Sequence, residues 1–202
     1  RINVKHITVY SYATVVRYAI QRIYLYPRLI NNNRIINWVV KTNCDLINQL
    51  DSFGNMMHLL IVTKPCKKIF IEVMGTVDVS PESKKISKIQ KNRIYAKEAS
   101  NVYLFQRPTN LTSANDEIKN IAKKTFNIRS QLKSLITLTE LIENKIEYIK
   151  GATEVGTTAI EAWNRGAGVC QDHAHIMIAA CRSIGLAARY VSGYLQGESE
   201  AS

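Results

Sequence analysis

The stretch Gly166-Ala167-Gly168-Val169-Cys170-Gln171-Asp172-His173-Ala174-His175 sets a cysteine directly after a glycine-bearing loop and at the start of a helical pattern. Apolar residues continue at helical spacing and Gly185 follows, so a helix is expected over 169–184. A cysteine in a first helical turn suits nucleophilic chemistry for two reasons. The thiolate, not the thiol, attacks a carbonyl. The unpaired N–H groups and partial positive charge of a helix N-terminus favour that anion, and the same N–H groups can hold the oxyanion of a tetrahedral intermediate. Gly166 and Gly168 let the backbone approach a substrate with no Cβ in the way. Spacing alone leaves a second reading open. Cys170, Ala174, Met177, Ile178, Cys181 and Ile184 share one helical face, where a cysteine ordinarily serves as a small buried hydrophobe. Cys181, deeper in the helix, is read as core.

His173 and His175 are the nearest titratable neighbours of Cys170. Side chains three apart on a helix lean toward its start, and a thiol base usually comes from elsewhere in the fold, fixed by a third group. Neither is assigned that role. A zinc site from Cys170, His173, His175 and Cys181 would need ligands on different helical faces, so no metal or other cofactor is expected.

Working outward, Leu132, Leu135, Ile136, Leu138, Leu141, Ile142, Ile146 and Ile149 predict one long amphipathic helix ending at Gly151. Thr158 and Glu161 form a possible capping box for a short helix that stops at Gly166. Ser113 is the expected cap of a helix reaching about Phe126, with Asp116 and Glu117 in its first turn. After the cysteine helix, Arg189–Leu195 reads as a strand.

The first eighty residues have another character. Ile2, Val4, His6, Thr8 and Tyr10 alternate with their neighbours as a half-buried strand does. Further strands are expected at Arg22–Tyr26, Arg34–Thr42, Met56–Thr63 and Lys68–Val79, with a turn at Asp51-Ser52-Phe53-Gly54-Asn55. Together they suggest a small antiparallel sheet or sandwich. His6 and His58 are read as structural. Ser80-Pro81-Glu82-Ser83 punctuates the end of this module and Lys84–Lys97 is polar and basic. The expected organisation is a β-rich module at 1–82, a connector at 83–110 with one strand at Val102–Phe105, and a core at 111–202. The fold class is α+β.

Composition bounds the rest. The chain has 202 residues, 46% of them apolar, enough to fill a core. No uncharged apolar run is long enough to span a membrane, and the alternating first residues, which begin without Met, are no signal peptide. Residues 1–109 hold 17 Lys/Arg against 6 Asp/Glu, whereas residues 110–202 hold 10 of each, so the net charge of +11 lies in the first half. Such a half could bind an anionic partner, yet no aromatic-basic RNA motif or recognition-helix pattern accompanies the charge, so nucleic acid is not the expected partner. The four cysteines form no CxxC pair, and free thiols favour a reducing, cytoplasmic compartment.

The residues then become recognisable. Thr157-Thr158-Ala159-Ile160-Glu161-Ala162-Trp163, Gly168-Val169-Cys170-Gln171-Asp172-His173-Ala174-His175 and Cys181-Arg182-Ser183-Ile184-Gly185-Leu186-Ala187-Ala188-Arg189-Tyr190-Val191-Ser192-Gly193-Tyr194 resemble the bacterial transglutaminase-like family. His6-x-Thr8-x-Tyr10-x-Tyr12, Leu25-Tyr26-Pro27-Arg28 and Asp51-x-Phe53-Gly54-Asn55 resemble the N-terminal region that precedes that core in bacteria.

The resemblance implies a papain-like fold and a Cys-His-Asp triad with Cys170 as nucleophile. The substrate would be a protein or peptide amide. Attack releases an amine and leaves a thioester, which water resolves in a peptidase or amide hydrolase and a lysine amine resolves in a crosslinker. Water is the default acceptor, and no calcium loop of the EF-hand type is present. Trp163 could line the acyl site or equally be core, and Gln171 is a second oxyanion or acyl-site candidate. The family's strand is followed by Ser-His-Ala-Trp, whose His is the base, while this sequence reads Glu200-Ala201-Ser202. The resemblance therefore puts the base and the Asp beyond Ser202, and the core as written is expected to be truncated and inactive alone. The competing expectation is a non-catalytic binding or scaffold protein that uses its basic N-terminal module.

Overall fold

The protein is described by a computed structural model covering residues 1–28, 34–79 and 102–194. The chain divides into two compact units, residues 1–87 with 193–202, and residues 88–192.

The first unit is two antiparallel sheets. β1 (Ile2–Val16), β6 (Cys66–Asp78) and β3 (Arg34–Thr42) form one, in the order β1-β6-β3. β2 (Ala19–Ile23), β5 (Met56–Val62) and β4 (Asp45–Leu50) form the other, in the order β2-β5-β4. In β1 the even residues from Ile2 to Thr8 are half-buried and the odd ones exposed, the period-2 pattern of a strand with one covered face. Ile23, Leu60 and Val62 of one sheet and Ile69 and Ile71 of the other share one cluster, so the expected sandwich is observed. Its inner face needs a glycine at 75, because a Cβ there would collide with the Trp38 ring, which lies across it and donates to Leu25 O at 2.9 Å. The 51–55 turn forms with Gly54 at φ +74°, and Asp51 Oδ1 accepts the N–H groups of Phe53 and Asn55 at 2.9 and 2.8 Å.

The second unit is helical. α1 (Val102–Gln106), α2 (Asp116–Thr125), α3 (Gln131–Lys145) and α4 (Ala159–Arg165) all belong to it, with α5 (Cys170–Ser183) at its centre. α1, α2, α3 and α4 all pack on α5. Ile118, Leu138, Ile142, Ile146, Trp163 and Ile176 fill the core, and Ala122, Ala159, Ala162, Ala179 and Ala180 keep the helix crossings close. A short parallel pair, β7 (Glu147–Tyr148) with β8 (Ala167–Gly168), completes it. No helix among the described residues is long and apolar enough to cross a membrane.

Several expectations need correction. Val102–Gln106 is a helix, not a strand; a short apolar run carries no decisive period. β4 was not expected, since Asp-Leu-Ile-Asn-Gln-Leu is poor in strand formers, but β5 supplies its ladder. β2 ends at Ile23, so Tyr24–Tyr26 lies outside it. The cap of α2 is Asn115, whose side chain accepts Ile118 N–H at 2.9 Å, while the Ser113 hydroxyl donates backward to Thr109 O. The long helix stops at Lys145, because Ile146 turns to extended geometry and Glu147 pairs with Ala167. Gly151, at φ +78°, belongs to the following loop. Residues 189–194 form no strand, since none of the described strands pairs with them. Residues 80–101, most of the expected connector, and Leu195 to Ser202 lie outside the described residues.

Candidate active site

The turn carrying Cys170 is assembled by backbone pairing on one side and by a buried carboxylate on the other. Thr158 and Glu161 form the expected capping box: the Thr158 side chain accepts Glu161 N–H at 3.2 Å, and Glu161 accepts Thr158 N–H at 2.8 Å. The Thr158 backbone N–H and hydroxyl, both donating to Glu161 Oε2 at 2.8 Å, hold that carboxyl below its ordinary range. α4 then ends on Gly166 at φ +70°. From there Gly166 O accepts Glu147 N–H and Gly168 O accepts Ile149 N–H, both at 2.9 Å, fixing the glycine loop against β7.

Val169 caps α5 but has no side-chain acceptor, so Asp172 does the capping work alone. Asp172 Oδ2 accepts Val169 N–H at 2.7 Å and the Thr153 hydroxyl at 2.6 Å. The residue is fully buried, a placement that suits a carboxylate in a first helical turn. Its second oxygen, Oδ1, has no partner among the described residues. Gly168 is the condition for this packing: a Cβ there would sit 2.7 Å from both Cβ and Oδ2 of Asp172. Gln171 Nε2 donates to Val155 O at 3.1 Å, and Arg165 donates to Ala152 O. Thr153 and Gln171 lace the 149–157 loop to the start of α5, and Arg165 ties it to the end of α4.

Cys170 is thus the first residue of a helix whose start is held from three directions, and its side chain is exposed. A cysteine filling a gap in the core would be buried, as Cys181 is, where burial raises the thiol above its ordinary value. The N–H groups of Asp172 and His173 turn back to Val169 O at 2.9 and 3.2 Å. Those of Cys170 and Gln171 have no carbonyl partner among the described residues, the normal state of the first helical positions. Chemically this is an exposed sulfur beside two N–H donors that are unpaired among the described residues.

The other candidates are engaged elsewhere. Trp163 is 5% exposed within the core cluster. Its indole N–H donates to Glu117 Oε2 at 2.6 Å, and Lys145 Nζ lies 5.8 Å from the ring centroid. That N–H is not free for an oxyanion. His173 has Nδ1 3.0 Å from Val169 O and Nε2 3.1 Å from Ile146 O, so both ring nitrogens face carbonyl acceptors. His175 is buried, edge-on to Tyr190 at 5.8 Å between centroids, with Nδ1 unpartnered among the described residues. No group of three or more metal-ligating side chains occurs among the described residues. The reading of spacing missed Thr153, which no motif announces. It also missed Arg182, which donates to Phe105 O, to Ala188 O and to the Thr112 hydroxyl at 2.8 Å each, and so ties the chain after α5 back to α1. Burial lowers that guanidinium from its ordinary value.

A sulfur at a helix start, in a helical unit preceded by an antiparallel β-unit, defines a papain-like, transglutaminase-like class of fold. Residues 119–202 match the transglutaminase-like superfamily and residues 2–78 match the bacterial transglutaminase-like N-terminal region. Together the two matches span most of the chain, a bacterial transglutaminase-like N-terminal region followed by a transglutaminase-like core. An uncharacterised protein of Mycobacterium leprae is 24% identical over all of this chain and 73% of its own length. Uncharacterised proteins of Mycobacterium tuberculosis and Mycobacterium bovis are 29% identical over 96% of this chain and 66% of theirs. The chain therefore spans about two thirds to three quarters of the curated relatives it matches. The crystal structure of a candidate cysteine protease from Cytophaga hutchinsonii shares the fold, with a TM-score of 0.65 and 18% identity over 90% of this chain and 66% of that one.

Proposed function

We propose that the helical unit is the nucleophile-bearing part of a cysteine acyl-transfer enzyme acting on a protein or peptide amide, with Cys170 as the nucleophile. The observation that carries this reading is the exposed Cys170 sulfur on the first residue of α5, beside the N–H groups of Cys170 and Gln171, which have no partner among the described residues. In the proposed reaction the Cys170 sulfur, its proton passed to a base, attacks the amide carbonyl. The two N–H groups hold the oxyanion. The C–N bond then breaks, the base returns the proton to the leaving amine, and a thioester remains. Water resolving it gives hydrolysis, and a second amine gives transfer. Hydrolysis is the preferred reading because water needs no second binding site. Gln171 serves through its backbone, since its side chain is occupied with Val155 O. The base and its orienting carboxylate are assigned to the family's His and Asp, past Ser202. His173 is not that base, because both of its nitrogens are already directed at carbonyls.

The test is competitive alkylation with iodoacetamide of a protein extended through the Ser-His-Ala-Trp pattern and the following Asp. Cys170 should react faster than Cys44, Cys66 and Cys181, and faster than in the same chain unfolded in urea. A Cys170 rate no greater than the unfolded rate would overturn the enzyme reading. Binding of an anionic protein that falls steeply with salt would then favour a scaffold acting through the basic first half.

A further inference from the structure

Three chain crossings between the two sheets of the β-unit meet at one corner. β1 passes to β2 through Arg17 and Tyr18, β3 to β4 through Asn43 and Cys44, and β5 to β6 through Thr63, Lys64 and Pro65. Pairing of Val16 with Cys66 and of Ala19 with Val62 brings the first crossing beside the third. The second and third are laced together on two sides. Asn43 Nδ2 donates to Lys68 O at 2.9 Å and its Oδ1 accepts Phe70 N–H at 2.8 Å. The Thr63 hydroxyl donates to Asp45 Oδ2 at 2.8 Å. Between these bonds sit Cys44 and Cys66. Both are half-buried, both thiols are free, and both pack on the cluster of Ile23, Leu60, Val62, Ile69 and Ile71. Burial first and then the neighbouring Cys66 raise the Cys44 thiol above its ordinary value, and that thiol donates to Asn43 Oδ1 at 3.8 Å.

We propose that Cys44 and Cys66 are an oxidisable pair that closes to a disulfide across this corner, joining the β3–β4 crossing covalently to the β5–β6 crossing. The oxidant is a disulfide of the glutathione class. One protein thiolate attacks it and expels one of its two sulfurs as a thiolate; the second protein thiolate then attacks the mixed disulfide and expels the other. In total, two protein thiols lose two protons and two electrons, and the oxidant is reduced to two thiols. The closure requires no strand to move out of register, because the segments carrying both sulfurs are already tied at Asn43 and Asp45. The raised Cys44 thiol forms less thiolate at neutral pH, which slows attack by that sulfur. The bridge would shorten the unfolded chain's freedom between the two crossings and leave the helical unit untouched. The proposal is independent of the role given to Cys170.

The test uses the full chain carrying Cys170→Ala, which removes the exposed thiol. The protein is equilibrated in glutathione buffers of stepped reduced-to-oxidised ratio, alkylated, and weighed intact and after proteolysis. The expected product is lighter by two hydrogens, resists alkylation at positions 44 and 66, yields a linked Cys44–Cys66 peptide, and melts several degrees higher than the reduced form. Cys44→Ser and Cys66→Ser should each abolish it. Glutathione adducts alone, a link to Cys181, or free thiols at 44 and 66 across the whole series would overturn the proposal. The unsubstituted pair decides this even where a serine variant fails to fold.

Discussion

In the helical unit the core gathers around one helix, and polar side chains tie the helix ends. Ile118, Leu138, Ile142, Ile146 and Ile176 are essentially inaccessible. Asn115, Glu161, Asp172 and Arg182 each hold backbone groups of a helix end or loop. The β-unit, with its own inaccessible core at Leu60, Val62 and Ile69, is tied in another way. Both units leave large apolar side chains exposed, Leu104, Ile128, Leu132 and Ile136 in the helical unit and Ile7, Val9, Ile20, Ile47 and Leu50 in the β-unit, but in the β-unit polar backbone groups are satisfied mainly by strand pairing rather than by side chains. The cause is geometric. A central helix can be covered by its neighbours, but the outer helices, like each sheet of a two-layer sandwich, keep an outer face. Helix ends leave N–H and C=O groups unpaired and so recruit side chains; strands recruit their neighbours. A reactive group that must be held in one orientation is better served by the first arrangement, and Cys170 stands in it.

The contrast can be broken or sharpened by substitution. The largest effect is expected on activity: in the extended protein, Cys170→Ala should lower amide turnover by at least about 1,000-fold and leave the melting curve unchanged, whereas activity that survives would remove the helical unit's claim to the chemistry. Next comes Ile176→Ala, which should cost about 2–5 kcal/mol in urea unfolding followed by circular dichroism. Ile20→Ala on the exposed side of β2 should cost no more than about 0.5 kcal/mol, and equal losses would erase the difference between the helical core and the outer face of the sheet. Gly168→Ala should cost about 1–3 kcal/mol, because the new Cβ must displace Asp172; it should also slow Cys170 alkylation, since Asp172 holds the Val169 N–H. The smallest effect concerns pH and the β-unit. Burial pushes the Asp51 carboxyl up, but hydrogen bonds from Asn55 and Phe53 outweigh it and hold it below its ordinary value. A carboxylate lowered in this way adds stability above its unfolded value, and that stability is lost as pH falls through the folded value. Asp51→Asn should therefore flatten the acid limb of β-unit unfolding below about pH 4, measured as denaturant midpoint against pH.

What could be read from sequence follows the same division. β3 and β5 were legible because both are apolar-rich runs that carry β-branched residues, while β4 was not, because its ladder comes from β5 rather than from its own composition. The Thr158–Glu161 box and the Gly166 stop were legible because both signals are local. The end of α3 was not: Ile146 and Ile149 keep helical spacing by coincidence, and only pairing of Glu147 with a residue twenty positions on ends the helix. In the site, the place of Cys170 could be read from its glycines and helix start. The fixing of that start by Thr153 could not, since a threonine nineteen residues from its partner carries no motif. The indole N–H of Trp163 is likewise committed by Glu117, a residue on another helix.

The chain has two tryptophans, and each unit received one. Trp38 lies half-buried over Gly75, with Tyr26 and Tyr194 at 6.4 and 6.2 Å between ring centroids. Trp163 lies between a carboxylate and an ammonium in the helical core. The intrinsic fluorescence is therefore a two-channel signal. Trp38→Phe leaves an emission that follows only the helices, and Trp163→Phe leaves one that follows only the sheets, fed by energy transfer from the tyrosines beside Trp38. The order in which the two halves come apart can be recorded with no added label.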